Sequence, residues 1–273
     1  MWYAAARRSW DISWILQGSD QVRAKRKAIE FLGVNVDVLD TEGLCERVLD
    51  FAQQDTPRKV MYVNADCMLL ARKDGAYRDI LNRADLVYAD GVGVVWGARL
   101  WGHRLPGRAT AADFMPEFCR RFAGLGLRIY LLGAKEGVAR KAKERLLEQV
   151  PDLEVAGVHH GYFSKEETAR IVEDINAARP HVLLVGFGAP NQERWIEENS
   201  SQLEVPVIWG VGGLFDFISG RTKRGPKWLL DHGFEWLCRL VAEPRRLWRR
   251  YLVGNSKFVL YILWQRFIAQ RIS

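Results

Sequence analysis

Between residues 29 and 220, short apolar runs alternate with longer stretches in which apolar side chains recur every three or four positions. Short runs rich in Val, Ile, Leu and Tyr suit buried strands, and the three-to-four spacing suits one face of a helix. Residues 31–39 alternate in Gly-Val-Asn-Val-Asp-Val and predict a strand or hairpin. Asp40-Thr41 opens a helix to about Gln54, with Leu44, Val48 and Phe51 on one face. Residues 59–102 then read as strand, helix, strand, and a turn into a second helix, the strands being 59–63 and 85–89. Met68, Leu69, Ile80 and Leu81 are expected in the core. Further strands are predicted at 128–132, 153–159, 181–185 and 206–209, with a helix over 135–149. Ser164 and Glu167 have capping-box spacing for a helix to Ala178. Strands alternating with helices imply an α/β fold, a Rossmann-like, mostly parallel sheet flanked by helices.

The strand ends carry the candidate chemistry. In a parallel sheet the carboxyl ends of the strands share one edge, and ligands bind there. One strand ends at Asn64 and the next at Asp90, so the two reach the same edge although 26 positions separate them. Asp90 precedes Gly91-Val92-Gly93, which lets backbone approach a ligand beside a carboxylate. Asp90 is therefore a candidate for catalysis or ligand contact, with capping of the next helix as the plain alternative. Two more strands run into glycine, at Gly186-Phe187-Gly188 and at Gly210-Val211-Gly212-Gly213. Such loops offer backbone N–H groups to a phosphate or a sugar. No dinucleotide fingerprint follows the first strand and no Walker A motif is present; Gly91, Gly93 and Gly97 make the nearest imitation. Arg108 lies in a loop over 103–112, and Asp113 begins the next helix.

Charge divides the chain into three parts. Its net +7 is uneven: residues 221–273 hold twelve Lys/Arg against three Asp/Glu, and residues 1–28 hold six against two, which leaves 29–220 at about −6. An extension over 1–28, an α/β core over 29–220 and a helical appendage over 221–273 follow. The two basic ends carry seven of the eleven Trp, including Trp2, Trp10 and Trp14. That pairing of residue types suits a membrane–water interface or nucleic acid. No apolar run reaches transmembrane length, and no apolar segment of a signal peptide follows Arg7-Arg8. In the appendage, Leu229, Gly233, Trp236, Leu237, Leu240 and Val241 form a stripe, and Arg245, Arg246, Arg249 and Arg250 fall within six positions. Spacing places Arg246 and Arg249 on one side, with Arg239 able to join them. Their bidentate donors suit a diphosphate or a lipid headgroup, a solvated face being the alternative. Cys45, Cys67, Cys119 and Cys238 form no CxxC pair and read as thiols in a reducing compartment. Five histidines without an HExxH motif offer no zinc site.

The ordered set of motifs resembles the bacterial WecG/TagA/CpsF glycosyltransferases, from about Gly33 to Phe267. It includes Val63-Asn64, Ala89-Asp90-Gly91, Arg108 with Asp113, Leu132-Gly133 and Gly161-Tyr162-Phe163. It continues through Gly186-x-Gly188-x-Pro190-x-Gln192-Glu193, Gly210-Val211-Gly212, Asp216 and Arg224-x-Pro226. Glu235-Trp236-Leu237-x-Arg239-Leu240 and Glu243-Pro244-x-Arg246-x-x-Arg249-Arg250-Tyr251 complete it. The resemblance implies an inverting, metal-independent transferase without a cofactor. Such an enzyme moves N-acetylmannosamine or a related sugar from a UDP-sugar donor to a polyprenyl-diphosphate-linked GlcNAc acceptor in cell-surface polysaccharide synthesis. By match, Asp90 resembles the general base, Asn64 and Gln192 resemble polar contacts, and Arg239, Arg246 and Arg249 resemble arginines that close over the diphosphate. Arg108, Asp113, Gly186, Gly188 and Asp216 fall at matched positions expected to contact substrate. Tyr62 stands where many members have Thr, and Ala111 departs from a common Arg-x-x-Gly pattern; both bear on the donor sugar, so a UDP-glucose or other UDP-hexose transferase is the alternative. The implied setting is the cytoplasm, peripherally at the inner face of the cell membrane, on an anionic surface, with no nucleic acid and with room for a homo-oligomer.

Two other classes fare less well. A nicotinamide-dependent oxidoreductase requires the glycine fingerprint that is missing. A nucleic-acid module built on the basic tail leaves the glycine strand ends without a role. No Asp-x-Asp pair stands at a strand end to hold a metal against the leaving diphosphate, and arginines are the expected substitute.

Overall fold

The computed structural model describes residues 26–222, 225–226, 228–229, 235–242 and 244–272. Trp2, Trp10 and Trp14 lie outside the described residues. The chain opens with an antiparallel hairpin, β1 (Ala28–Phe31) and β2 (Val34–Asp37), turned through Leu32 and Gly33, both at positive φ. Positive φ at both central residues matches the right-handed twist of the flanking strands. Arg26 forks onto the Asp37 carboxylate at 2.9 and 3.0 Å and reaches the Ala84 carbonyl. Arg26, within the expected extension over 1–28, is thus tied to β2 and to Ala84.

The main sheet holds six parallel strands in the order β4-β3-β8-β7-β5-β6. They are β3 (Arg58–Val63), β4 (Leu86–Ala89), β5 (Arg128–Gly133), β6 (Glu154–His159), β7 (Val182–Gly186) and β8 (Val207–Gly210). Central strands β7 and β8 are buried along their whole length, as a sheet covered on both faces requires. Helices α1 (Thr41–Ala52), α5 (Ala111–Gly124), α6 (Val138–Gln149) and α9 (Leu214–Ile218) pack with one another. A second group joins α2 (Ala65–Lys73) to α3 (Gly75–Arg83), and α3 to α8 (Asn191–Asn199). Helix α4 (Val92–Leu100) follows β4, and α7 (Thr168–Ala178) follows β6.

Two predicted helices differ in detail. The single helix between β3 and β4 is broken at Asp74, whose N–H ends α2 on the Leu70 carbonyl and whose carboxylate caps α3 at Tyr77 N. Glu167 does accept the Ser164 N–H at 2.7 Å, but the intervening residues form a turn and α7 starts at Thr168.

Fully buried Trp209 on β8 anchors the core. Its ring meets Tyr88 of β4 and both Phe114 and Phe118 of α5, and its N–H donates to the Tyr88 hydroxyl at 3.3 Å. This aromatic contact fixes α5 across the β4 side of the sheet, which sets where the first turn of α5 stands.

The tail comprises α10 (Glu235–Ala242), α11 (Pro244–Trp248), a π-helical turn (Arg249–Gly254) and α12 (Asn255–Ile272). Phe258 and Ile262 of α12 are buried. A Cβ on Gly97 would stand 2.7 Å from Ile262 and 2.8 Å from Phe31, and one on Gly93 would be 3.7 Å from Phe258. These glycines of α4 admit the tail helix, which accounts for the false likeness to a nucleotide fingerprint. Of the stripe expected over 229–241, Leu237 and Val241 are exposed on α10, and Gly233 lies outside the described residues. No described helix is long and apolar enough to cross a membrane.

Candidate active site

Pairing of Val63 with Ala89 puts the next residues, Asn64 and Asp90, side by side at the carboxyl edge. The Asp90 N–H still donates to the Val63 carbonyl at 2.8 Å, so Asp90 is held as if in the ladder. The loop before α5 is drawn to the same edge, where the Ala109 N–H donates to the Ala89 carbonyl at 2.9 Å. That contact sets Thr110 over Asp90, and the Thr110 hydroxyl donates to Asp90 Oδ1 at 2.9 Å. Arg108 Nη1 reaches Thr110 Oγ1 at 3.5 Å and its Nη2 lies 3.7 Å from Asp113 Oδ2. Thr110 sits at the N-cap of α5, yet its side chain makes no cap bond and serves Asp90 instead. Asn64 caps α2, its oxygen accepting from Asp66 N and Cys67 N. The Asn64 oxygen is thus taken up in capping, whereas Gly91 is the N-cap of α4 and Asp90 is left beside the edge.

A second feature lies along the same edge. The chain leaves β5 toward β6 and leaves β7 toward β8, in opposite directions, so a topological switch point falls between β5 and β7. Here an open cleft of about 1030 Å³ is lined by backbone of Gly186–Gly188 and Gly212–Gly213, by Phe163, and by the charged groups Lys135, Glu167, Asp216 and Arg221. Asp216 accepts from Arg221 at 2.8 Å. Gly133 pairs with Gly186 across the switch point, and a Cβ on Gly133 would stand 2.6 Å from the Gly186 carbonyl oxygen. No side chain fits there, so the crevice opens between bare backbones. Phe163 and Phe187 meet edge-on at 5.7 Å on the cleft lining, an aromatic wall backed by the buried Trp195 at 5.6 Å from Phe187. Three strand spacings separate β4 from β7, so Asp90 stands ~14 Å from the β7 side of the switch point.

Gln192 is 0% exposed and does not line the cleft. Its oxygen accepts the Gly212 N–H at 2.8 Å and its amide donates to Glu193 Oε1 at 2.9 Å, so it holds the loop after β8 that forms one wall. Glu193 is also 0% exposed, and its Oε2 is buried without a hydrogen-bond partner. Burial pushes this carboxyl up to about 7. Tyr62 packs on the same loop; a Cβ on Gly212 would lie 2.5 Å from its hydroxyl.

The Glycosyl transferase WecG/TagA/CpsF family matches residues 29–272. The chain belongs to that family. Among its relatives, an N-acetylglucosaminyldiphosphoundecaprenol N-acetyl-beta-D-mannosaminyltransferase of Bacillus subtilis (strain 168) is 32% identical over 201 residues, 74% of this chain and 77% of that protein. Proteins of the same name are 30% identical in Bacillus spizizenii, covering 78% and 81%, and 29% identical in Staphylococcus aureus (strain NCTC 8325 / PS 47), covering 83% and 89%.

In this glycosyltransferase the fold gathers Asn64, Asp90, Arg108 and Asp113 at one end of the carboxyl edge, and Gly186, Gly188 and Asp216 at the other. Arg249 is in the π-helical turn, which packs against α2; its side chain is exposed with its guanidinium 5.3 Å from the Trp248 ring. The backbones of Arg239 and Arg246 are helical, and their side chains lie outside the described residues. Cys45, Cys67 and Cys119 are buried and form no disulfide. Among the described residues no group of three or more His, Cys, Asp or Glu stands together as metal ligands would. Sequence reasoning gave no role to Thr110 or Lys135, and it held Glu193 only as part of the matched motif. Thr110 reads as an ordinary helix cap, and the motif that names Gln192 and Glu193 together does not tell that the pair is buried.

Proposed function

We propose that this glycosyltransferase moves N-acetylmannosamine from a UDP donor to the sugar hydroxyl of a polyprenyl-diphosphate-linked GlcNAc, with inversion at the anomeric carbon. The activity for which the relatives are named supports the sugar and the acceptor. The arrangement of the carboxyl edge supports the donor. The aromatic wall suits uracil, Glu167 and Asp216 suit ribose hydroxyls, and the glycine backbones suit a diphosphate. A nucleotide there would extend its sugar across the ~14 Å to Asp90.

Asp90 is the general base of this reading. The acceptor hydroxyl gives its proton to the Asp90 carboxylate as its oxygen bonds to the anomeric carbon. The bond from that carbon to the β-phosphate oxygen breaks, and its electron pair leaves with UDP. Thr110, held by Arg108, fixes which carboxylate oxygen faces the acceptor. Cations stabilise the leaving diphosphate: Lys135 and Arg221 at the cleft, joined by arginines of the tail. Asn64 would orient the acceptor through its amide. The enzyme would act without a metal or cofactor, attached peripherally at the inner face of the membrane. The observation that carries this reading is the carboxylate of Asp90, set at the strand edge and oriented by the Thr110 hydroxyl, whereas the neighbouring Asp113 faces Arg108. Asp90→Asn is expected to lower turnover by ~10²–10⁴-fold with the fold intact. Transfer from UDP-N-acetylmannosamine to a water-soluble GlcNAc-diphosphate-lipid analogue measures it, and near-normal turnover in the variant would remove Asp90 from the mechanism.

A further inference from the structure

Helices α2 and α12 pack against each other, and a groove of about 530 Å³ runs between them. Leu69, Arg72 and Lys73 line it from α2, at the i, i+3, i+4 spacing of one helix face. Lys257, Tyr261 and Trp264 line it from α12, again on one face. Arg72 lies over the Tyr261 ring at 4.0 Å and within 5.9 Å of the Trp264 ring. The aromatic contact holds the guanidinium at the groove without neutralising it. Among the described residues, no carboxylate pairs with Arg72, Lys73 or Lys257, and no acidic side chain lines the groove. Three cations and an apolar floor thus share one trough.

The surface around the trough is apolar. Val259, Leu260, Leu263 and Trp264 of α12 are all at least half exposed, and Trp96 of α4, the helix that α12 packs on, is 61% exposed. A ligand with both a phosphate and an aliphatic chain matches this combination: nucleic acid offers phosphates and bases that stack on Tyr261 or Trp264, but nothing to cover the aliphatic Leu69, Val259, Leu260 and Leu263. Arg72 lies eight positions beyond Asn64, the N-cap of α2, so the trough lies ~12 Å along the helix from the active-site edge.

We propose that this trough binds the phosphate of an anionic membrane phospholipid, with an acyl chain laid along Leu260 and Trp264. Docked there, the enzyme has α2 and α12 against the leaflet and the Asp90 edge at the membrane surface. The inference rests on the reading of the protein as a membrane-surface enzyme, and it adds a defined lipid site contributed in part by the catalytic core.

Three full-length proteins test it: wild type, the groove variant R72Q/K73Q/K257Q, and a control variant R140Q/K141Q/R170Q that removes equal charge from α6 and α7 at the other end of the sheet. Vesicles of phosphatidylcholine with added phosphatidylglycerol measure surface binding. Each cation near an anionic leaflet contributes about fivefold, so the groove variant is expected to bind on the order of 100-fold more weakly while the control stays near wild type. Dihexanoylphosphatidylglycerol below its micelle concentration should saturate wild type and control in calorimetry but not the groove variant. Transfer to the water-soluble acceptor analogue should be unchanged in all three. Equal losses of vesicle binding in both variants would mean diffuse charge and no site. A raised KM for the soluble acceptor in the groove variant would give the trough to the acceptor diphosphate instead, and groove-dependent retention of duplex DNA would give it to nucleic acid. Should the triple variant not fold, Lys257→Glu, at an exposed position on α12, is read in its place. Failure of wild type to bind any vesicle would refute membrane attachment itself, whereas vesicle binding without the lipid-specific site would refute the trough alone.

Discussion

Replacing Glu193 by Gln tests the buried polar pair behind the cleft. Burial lifts the Glu193 carboxyl from its ordinary value of 4.5 to about 7, because the charged form would be stranded in the core. Between those values the folded protein keeps a proton that the unfolded chain has lost. Stability therefore falls as pH rises through this window, by about 1.4 kcal/mol per pH unit, and levels off above the folded value. The whole swing is on the order of 3 kcal/mol. Glutamine cannot ionise, so Glu193→Gln removes the swing. Its oxygen can still accept from Gln192, whereas its amide adds a buried donor in place of Oε2, which costs ~1–3 kcal/mol at every pH. Urea unfolding of both proteins from pH 4.5 to 8 separates the two effects. The variant is expected to be the weaker protein at pH 4.5 and to gain ~3 kcal/mol relative to wild type by pH 8. Comparing the two proteins cancels every other titrating group. Parallel stability curves over the range would show that Glu193 does not titrate there, and the account of it as a neutral buried acid would be wrong.

Thr110→Val keeps the shape of the side chain and removes the donor to Asp90; a lost hydrogen bond to a charged group should lower kcat by ~10-fold or more with little change in donor KM, as steady-state kinetics would show. Gly133→Ala places a methyl against the Gly186 carbonyl at the switch point and should either lower the thermal midpoint by several degrees or, where the fold yields locally, abolish UDP binding by calorimetry. Exhaustive EDTA treatment should leave transfer unchanged; activity lost and then restored by Mg²⁺ or Mn²⁺ would show that the cations of the protein do not suffice for the leaving group.

The order of strands and helices was legible along the chain because apolar period depends on local geometry: period two or a short apolar run for β3 and β5, three-to-four spacing for α1 and α6. The parallel arrangement followed from the alternation, and with it the placing of Asn64 and Asp90 on one edge. The motif set was specific enough to point to the family before any contact was known. Breaks within elements were less legible. Asp74 ends one helix and starts the next, and its side chain suits both a turn and a continuing helix face until Arg194 and Tyr77 N engage it. Only the tertiary structure decided which polar residues serve the site. Thr110 meets Asp90 because Trp209 and α5 hold the 108–110 loop against β4, a contact between parts of the chain twenty positions apart. Gln192 is turned inward to Gly212 and Glu193 is buried beside it, although a helix beginning Asn-Gln-Glu-Arg reads as surface. Gly93 and Gly97 resembled a phosphate loop and proved to be the space into which α12 packs. Local period depends on neighbours in the chain and survives in the sequence. The direction of a side chain depends on which distant element is packed against it, and no spacing along the chain records that.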